Sequence, residues 1–361
     1  MTISYEQELY ENIISNQLFG GLELVVSPRC NLECVYCYMK KYNKLDSSPI
    51  ISKTTIDKSI EVFSKLKKGQ SYSIEAFGGE PFIQTDLIEY ILQKTKNNEQ
   101  ISYVLIPSNG YYTNNVESLL TEYPKLQISF SIDGIYNEHI NRPKHPTCNK
   151  ELDYDYLFRL YKQFPKRIGF HPMIYSKTVE NTYKTAVWFA ENMNNPNDVE
   201  NSLYLLPVRN PKNWDSNTIH ILIDELHKFK NYCEENHISM NSTKFNIFRT
   251  VGCPRGTTCS LQTTLSVNWD GDLYPCHRLM YPEFKYGNIY TYPKWDFNVI
   301  LPFYLYHRGN SFLCQSCSIQ NKNNCAGGCL GAQYEYWGDP FIPIKDTCLL
   351  NQKLATEVVD A

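Results

Sequence analysis

No histidine occurs before His139 in this chain, so any metal site near the N-terminus has to be built from other ligands. An excess of either charge is lacking as well. Lys and Arg total 35 against 38 for Asp and Glu, a net charge of −3, which leaves no electrostatic footprint for nucleic acid or an anionic membrane surface. No apolar run is long enough to cross a bilayer. Met1 to Gln17 carries three glutamates and no Lys or Arg, unlike a signal peptide, and the expected location is the cytoplasm. Internal repeats and low-complexity tracts are absent too. What remains is a chain of 361 residues, 42% hydrophobic and 20% charged, long enough to bury a large core and to hold two units.

Cysteine, by contrast, is abundant. Thirteen in a chain of this size point to metal or redox chemistry rather than to the disulfide scaffold of a small secreted protein. Three fall at Cys30, Cys34 and Cys37, Cys148 and Cys233 stand alone, and eight crowd between Cys253 and Cys348, which separates a cysteine-poor middle from a cysteine-dense tail. The first group, Cys30-Asn31-Leu32-Glu33-Cys34-Val35-Tyr36-Cys37, follows the first strongly apolar segment, Gly21 to Val26. A four-iron cluster takes four thiolates, so three close cysteines with no nearby fourth Cys or His leave one iron without a protein ligand. An open iron is a reaction site. Structural zinc is the alternative, but it wants four closed ligands.

The C-x3-C-x2-C spacing, with aromatic Tyr36 before the last cysteine, resembles the radical S-adenosylmethionine (SAM) superfamily. The resemblance implies that the amine and carboxylate of SAM chelate the open iron. It also implies that the reduced cluster cleaves SAM to a 5′-deoxyadenosyl radical, which abstracts hydrogen from a substrate.

From residue 21 to about 236 the pattern alternates. Strand-like runs at Gly21 to Val26, Tyr72 to Phe77, Ile101 to Ile106, Leu126 to Ile132, Arg167 to Tyr175 and Ser202 to Val208 are separated by segments with helical spacing. Ile56, Ile60, Phe63 and Leu66 mark one helical face. Thr85 is expected to cap the next helix, and further helices run near Thr178 to Met193 and Thr218 to Glu235. Repeated β–α units mean a parallel α/β sheet. Periodicity cannot say whether it closes; the resemblance implies a partial (β/α)6 barrel with the cysteine loop after the first strand. The expected organisation is a lead-in over 1–20, a radical SAM core over 21–236 and a cysteine-rich tail over 237–361, entered through a linker around His237 to Val251.

At the second strand end stands Phe77-Gly78-Gly79-Glu80-Pro81. Adjacent glycines admit a close backbone approach, and Glu80 adds a carboxylate at the mouth of a parallel sheet, although such a turn is often only a turn. One strand after the cysteine loop, Gly78, Gly79, Glu80 and Pro81 match the family motif that holds the SAM amino group. Ser108-Asn109-Gly110 and Ser131-Ile132-Asp133-Gly134 follow the third and fourth strands, either as turn chemistry or as site residues. The resemblance places Asn109, Ser131 and Asp133 near the ribose and methionyl moiety of SAM, Arg142 against its carboxylate, and Tyr36 against the adenine. His139 reads as structural.

The tail carries Cys253-x5-Cys259-x11-Gly271-x4-Cys276, then Cys314-x2-Cys317-x7-Cys325-x3-Cys329, then Cys348. Two zinc ribbons would use similar elements. The pattern resembles the SPASM extension of radical SAM peptide-modifying enzymes, with two extra residues between Cys317 and Cys325. That resemblance implies two auxiliary [4Fe-4S] clusters, the first on Cys253, Cys259, Cys276 and Cys329 and the second on Cys314, Cys317, Cys325 and Cys348. With the cluster on Cys30, Cys34 and Cys37 this makes three. Cys148 is left over, and Cys233 reads as a small buried hydrophobe.

Length, loop and tail most resemble anaerobic sulfatase-maturing enzymes and the SPASM maturases of ribosomally made peptides. Sulfatase maturases use an aspartate directly after the third cysteine of the first auxiliary cluster as proton acceptor; here His277 stands there, either as the base or as a hydrogen-bond donor that tunes the cluster. The preferred expectation is a maturase that forms a thioether or carbon–carbon crosslink, or epimerises a residue, in an encoded peptide. Formylglycine formation and oxidation of a small metabolite are the alternatives, and a non-catalytic redox module is a third. Glu75, His171 and Tyr204 are candidate substrate contacts inside the barrel. Expected partners are the peptide, an external one-electron reductant of the flavodoxin or ferredoxin type and, since only about twenty residues precede the first strand, a separate leader-binding protein or the barrel–tail surface. Tyr334 to Trp337 and Phe341 read as core or as a grip for an extended chain.

Overall fold

The sheet is laid around β1 (Gly21–Ser27), whose Leu22, Leu24, Val25 and Val26 are all fully buried, as a strand covered on both faces must be. The structure is a computed structural model that describes residues 4–16, 20–112, 115–193, 203–210, 212–238, 264–306, 311–319 and 328–359. On one side β1 pairs in parallel with β2 (Tyr72–Gly78), which is followed outward by β3 (Ile101–Ser108), β4 (Leu126–Phe130) and β5 (Ile168–Phe170), all parallel. Beyond Phe170 the strand continues as β6 (Met173–Ile174), paired in parallel with β7 (Leu206–Pro207), and a bridge joins Phe170 to Leu203. The six expected parallel segments are therefore present, the last of them in short pieces.

The two faces of the sheet follow the period-2 alternation. In β2, Ile74 and Ala76 are buried while Ser73, Glu75 and Phe77 on the other face are half-exposed and line the concave side. The convex side is covered by α2 (Lys53–Leu66), α3 (Thr85–Thr95), α4 (Val116–Glu122), α6 (Tyr154–Gln163), α7 (Thr182–Met193) and α8 (Ser216–Glu235), with the short α5 (Glu138–Asn141) standing at the mouth. Helix α2 buries Ile56, Val62, Phe63 and Leu66 against the sheet, and Ser52 caps it by accepting from the Thr55 backbone N–H. Thr85 does not cap α3. It is the first helical residue, and its hydroxyl donates to the Phe82 carbonyl, because a short turn at Pro81–Gln84 already leads the chain into the helix.

The tail does not start a separate sheet. Strand β8 (Thr264–Val267) pairs in parallel with the free edge of β1, and β9 (Asp272–Tyr274) and β10 (Gly287–Asn288) extend it antiparallel, giving the order β10-β9-β8-β1-β2-β3-β4-β5. The sheet stays open. The N-terminal α1 (Tyr5–Asn16) packs on the tail helix α9 (Phe297–Leu305), with Tyr10 buried among the rings of Tyr286, Trp295, Phe297 and Tyr304. The remaining tail helices are α10 (Phe312–Gln315), α11 (Leu330–Trp337) and α12 (Lys345–Leu354). Tyr334 packs on Tyr281 and Phe284, and Phe341 on Phe303 and Tyr306, whereas Tyr336 and Trp337 are exposed. Among the described residues no helix is long and apolar enough to cross a membrane.

Candidate active site

The cysteine loop leaves the end of β1 and is clamped from two sides. Gly79 N–H donates to the Ser27 carbonyl and Glu80 N–H to that of Arg29, so the Gly78-Gly79 turn lies flat against the loop backbone. A Cβ on Gly78 would come within 2.2 Å of the Ser27 carbonyl oxygen and one on Gly79 within 2.4 Å of the Arg29 carbonyl oxygen. The close approach that the paired glycines serve here is thus to the loop itself. From the other side residues 141–145 run antiparallel to residues 31–35: Val35 N–H donates to Asn141, Glu33 N–H to Pro143, and His145 N–H to Asn31.

Glu80 joins two strand ends. Its carboxylate accepts from Phe82 N–H and the Ser108 hydroxyl (3.0 Å each) and from Asn109 N–H (2.6 Å). Burial nevertheless pushes it up to about 7 against these donors. Asn109 in turn donates to the Asn31 side chain (2.7 Å) and lies 3.9 Å from the Cys30 sulfur, and Asn31 reaches Cys148 (3.4 Å). Ser131 contributes a backbone bond to the Ser108 carbonyl.

A second network gathers around buried Asp133, which accepts from the Tyr36 hydroxyl (2.8 Å), the Asn141 amide (2.9 Å) and the Met173 N–H (2.9 Å). Arg142 is buried, paired to Glu138 through Nε (3.0 Å) and donating to the Tyr36 hydroxyl (3.2 Å). Glu138 accepts from the Asp133 N–H as well. Tyr36, Asp133 and Arg142, predicted as separate contacts, therefore form one unit, and Glu138 and Asn141 are the members that sequence reasoning missed. His139, between them, is exposed.

The thiols fit an iron cluster. Burial and then Cys34 push Cys30 far up, and burial pushes Cys34 up to about 12 although Arg142 opposes it. Crowded thiols are costly to ionise alone, and a polycationic cluster removes that cost. Among the described residues no three His, Cys, Asp or Glu side chains converge on a single-ion position. A four-iron cluster needs no such convergence because each thiolate takes its own iron, whereas zinc does.

On the concave side, His277 is sandwiched between Phe77 (centroids 4.0 Å) and Tyr38 (5.5 Å). Its Nδ1 bonds to the Glu23 carboxylate (2.6 Å) and its Nε2 to the Tyr38 hydroxyl (2.7 Å). Burial opposes a charge on His277, but Glu23 outweighs it and holds the imidazole above its usual value. Glu23 is itself lowered, because the histidine and the Ser266 hydroxyl more than offset its burial. Glu23 was legible in principle: it is a lone carboxylate inside an otherwise apolar central strand. Glu75, opposite Glu23 in the β1–β2 register, is pushed up to about 7 by burial and by Glu23. His171, in edge contact with Tyr204 (4.5 Å), is driven down to about 4 by burial and is neutral at pH 7.

Of the tail cysteines, Cys253, Cys259 and Cys325 lie outside the described residues, as does most of the expected linker. Arg278 links the rest to the barrel: it pairs with Glu335, donates to Asn210, lies over the Tyr38 ring and approaches the Cys329 sulfur (3.9 Å). Cys276 is two residues before Arg278. Gln352, one turn from Cys348 on α12, donates to the Cys317 sulfur (3.2 Å), which sets the Cys314–Cys317 turn beside that helix. Cys233 is fully buried in α8.

Over 99% of its length the chain is 23% identical to the radical SAM cyclopropyl synthase TigE of Paramaledivibacter caminithermalis, of which it covers 77%. The fold matches that of anSMEcpe solved with AdoMet and a Cp18Cys peptide, with a TM-score of 0.69 and 19% identity over 93% of this chain and 95% of that one. It also matches Streptococcus suis SuiB bound to the precursor peptide SuiA, with a TM-score of 0.58 and 17% identity over 94% of this chain and 77% of that one. The radical SAM superfamily model matches residues 24–203, the stretch that runs from β1 through the cysteine loop and the glycine turn to Leu203, which bridges to Phe170. That segment is a radical SAM domain, and the protein is an enzyme of the radical SAM superfamily.

Proposed function

We propose that the protein is a radical SAM maturase that modifies a ribosomally synthesised peptide by forming a crosslink, with a carbon–carbon bond preferred over a thioether or an epimerised centre. The observation that carries this reading is that the likeness to peptide-bound neighbours runs through the tail as well as the barrel, over 93% and 94% of this chain. The relation to a cyclopropyl synthase, which runs over 99% of this chain and 77% of that one, supports the carbon–carbon bond.

When bound, SAM and a four-iron cluster supply a 5′-deoxyadenosyl radical. Cys30, Cys34 and Cys37 would hold the cluster. The turn Gly78–Pro81, braced by Glu80, would receive the SAM amine and Arg142 its carboxylate, with Asn109, Ser131 and Asp133 serving the ribose and methionyl moiety and Tyr36 the adenine. Two further clusters in the tail would be held by Cys253, Cys259, Cys276 and Cys329 and by Cys314, Cys317, Cys325 and Cys348. His277 has both ring nitrogens engaged, so a proton lost by the substrate reaches Nε2 through the Tyr38 hydroxyl, and the Glu23 carboxylate stabilises the imidazolium that results.

The test is a 5′-deoxyadenosine assay on anaerobically reconstituted protein with the peptide encoded beside its gene, the truncated core of that peptide, and a metabolite panel. Stimulation by the full peptide is expected, supported by a flavodoxin- or ferredoxin-type reductant. Stimulation by a small metabolite alone overturns the reading, and formylglycine on a sulfatase-derived peptide replaces it with sulfatase maturation.

A further inference from the structure

The concave face of the sheet holds more polar groups than the SAM site uses, and their hydrogen bonds do not close. Glu23 is satisfied by Ser266 and His277, and His277 by Glu23 and Tyr38. Glu75 is not. No described donor reaches its carboxylate, and among the described residues its charged neighbours are Glu23, which repels it, and His277, already committed to Glu23. Glu75 is thus a carboxylate on this face that no described hydrogen-bond donor meets.

A second group tells the same story from across the sheet. Glu75 is in register with Leu105 and Leu105 with Gln127, while Pro107 is in register with Ser129, so Glu75 and Ser129 share the concave face. Ser129 is only 7% exposed and its hydroxyl has no hydrogen-bond partner among the described residues. A buried hydroxyl without a partner and a half-buried carboxylate without a donor are both unfavourable, and both are relieved by a ligand that brings N–H donors and positive charge. Leu105 and Phe77 lie beside Glu75 on the same face and offer apolar surface to an alkyl stem.

We propose that Glu75 is a specificity-determining residue that receives the lysine or arginine side chain of the peptide substrate within the barrel, with Ser129 as a second acceptor. The inference rests on the peptide reading above and names which peptides that site takes. The cationic side chain is held, not modified: its charge docks in the compartment while a neighbouring residue is presented to the mouth.

The experiment uses the reconstituted holoprotein with SAM and three synthetic dodecapeptide pools, randomised except for a central Lys, Glu or Leu. Binding is read by fluorescence anisotropy and turnover by 5′-deoxyadenosine release. The Lys pool is expected to bind on the order of 30-fold more tightly than the Leu pool, the scale of losing one partner of a desolvated charge pair. Glu75→Gln, which keeps the side chain's shape, is expected to abolish that preference, Glu75→Lys to transfer it to the Glu pool, and Ser129→Ala to weaken it. Equal binding of all pools, or a preference that survives Glu75→Gln, overturns the inference even where deoxyadenosine release is stimulated. Tight binding of the Lys pool without stimulated release leaves the inference standing and removes the peptide-maturase reading instead. If no pool binds, both fall.

Discussion

Glu75→Gln has a second consequence, on stability, whose sign follows from the folded protein alone. Burial and the repulsion of Glu23, opposed by His277, raise the Glu75 carboxyl from 4.5 to about 7. The folded state therefore keeps a proton that the unfolded chain has released. This contribution is fully present below pH 4.5 and fades as pH rises toward 7, above which stability levels off. Glutamine cannot ionise, so the variant escapes that loss. A shift of this size corresponds to about 3 kcal/mol, and the partial exposure of Glu75 brings it nearer to ~2 kcal/mol. For a chain this long the stability of the variant relative to the parent should rise by roughly 2–4 °C in Tm between pH 5 and pH 8. Anaerobic thermal melts of both proteins across that range measure it. A Tm difference that stays constant with pH refutes the assignment of Glu75 as a desolvated, uncompensated carboxyl.

Three further outcomes test the rest of the site. Gly79→Ala puts a methyl group 2.4 Å from the Arg29 carbonyl oxygen, against backbone that cannot give way without moving the cysteine loop; a loss of about 2–4 kcal/mol in chemical denaturation and a lower iron content are expected. Arg142→Ala leaves Glu138 buried without its partner, for a loss of about 3–5 kcal/mol, while SAM affinity measured by equilibrium dialysis falls with it. Replacing Cys30, Cys34 and Cys37 together by alanine should abolish reductive SAM cleavage and, with the two proposed auxiliary clusters in the tail, reduce iron from about 12 to about 8 per chain. Surviving cleavage would refute the cysteine-loop assignment.

Much of the scaffold could be read locally. Strands β1 to β4 and helices α2, α7 and α8 lie where the periodicity predicts them, because each buries a face whose spacing is written in a single segment. The glycine pair was legible as a close approach but not as an approach to the loop of residues 27–29, which depends on the β1–β2 register. Thr85 was misread as a cap because the turn at Pro81–Gln84, which already enters the helix, carries no periodic signal.

The sequence by itself determined the donors and their order: three thiols in one loop, a Gly-Gly-Glu-Pro turn one strand later, and a cysteine-dense tail. These are chemical requirements met within a few residues, so spacing alone reveals them. Only the tertiary structure decided which groups meet. Glu23 and His277 are 254 positions apart and are brought together because β8 adds to the open edge of β1, a pairing that no local pattern encodes. Tyr36, Asp133 and Arg142 become one network because residues 141–145 fold back along the cysteine loop, and Glu75 is left without a donor because its neighbours across the sheet are another carboxylate and a leucine. Partner choice across strands is set by long-range burial and register, and it is there that the site acquired its charge.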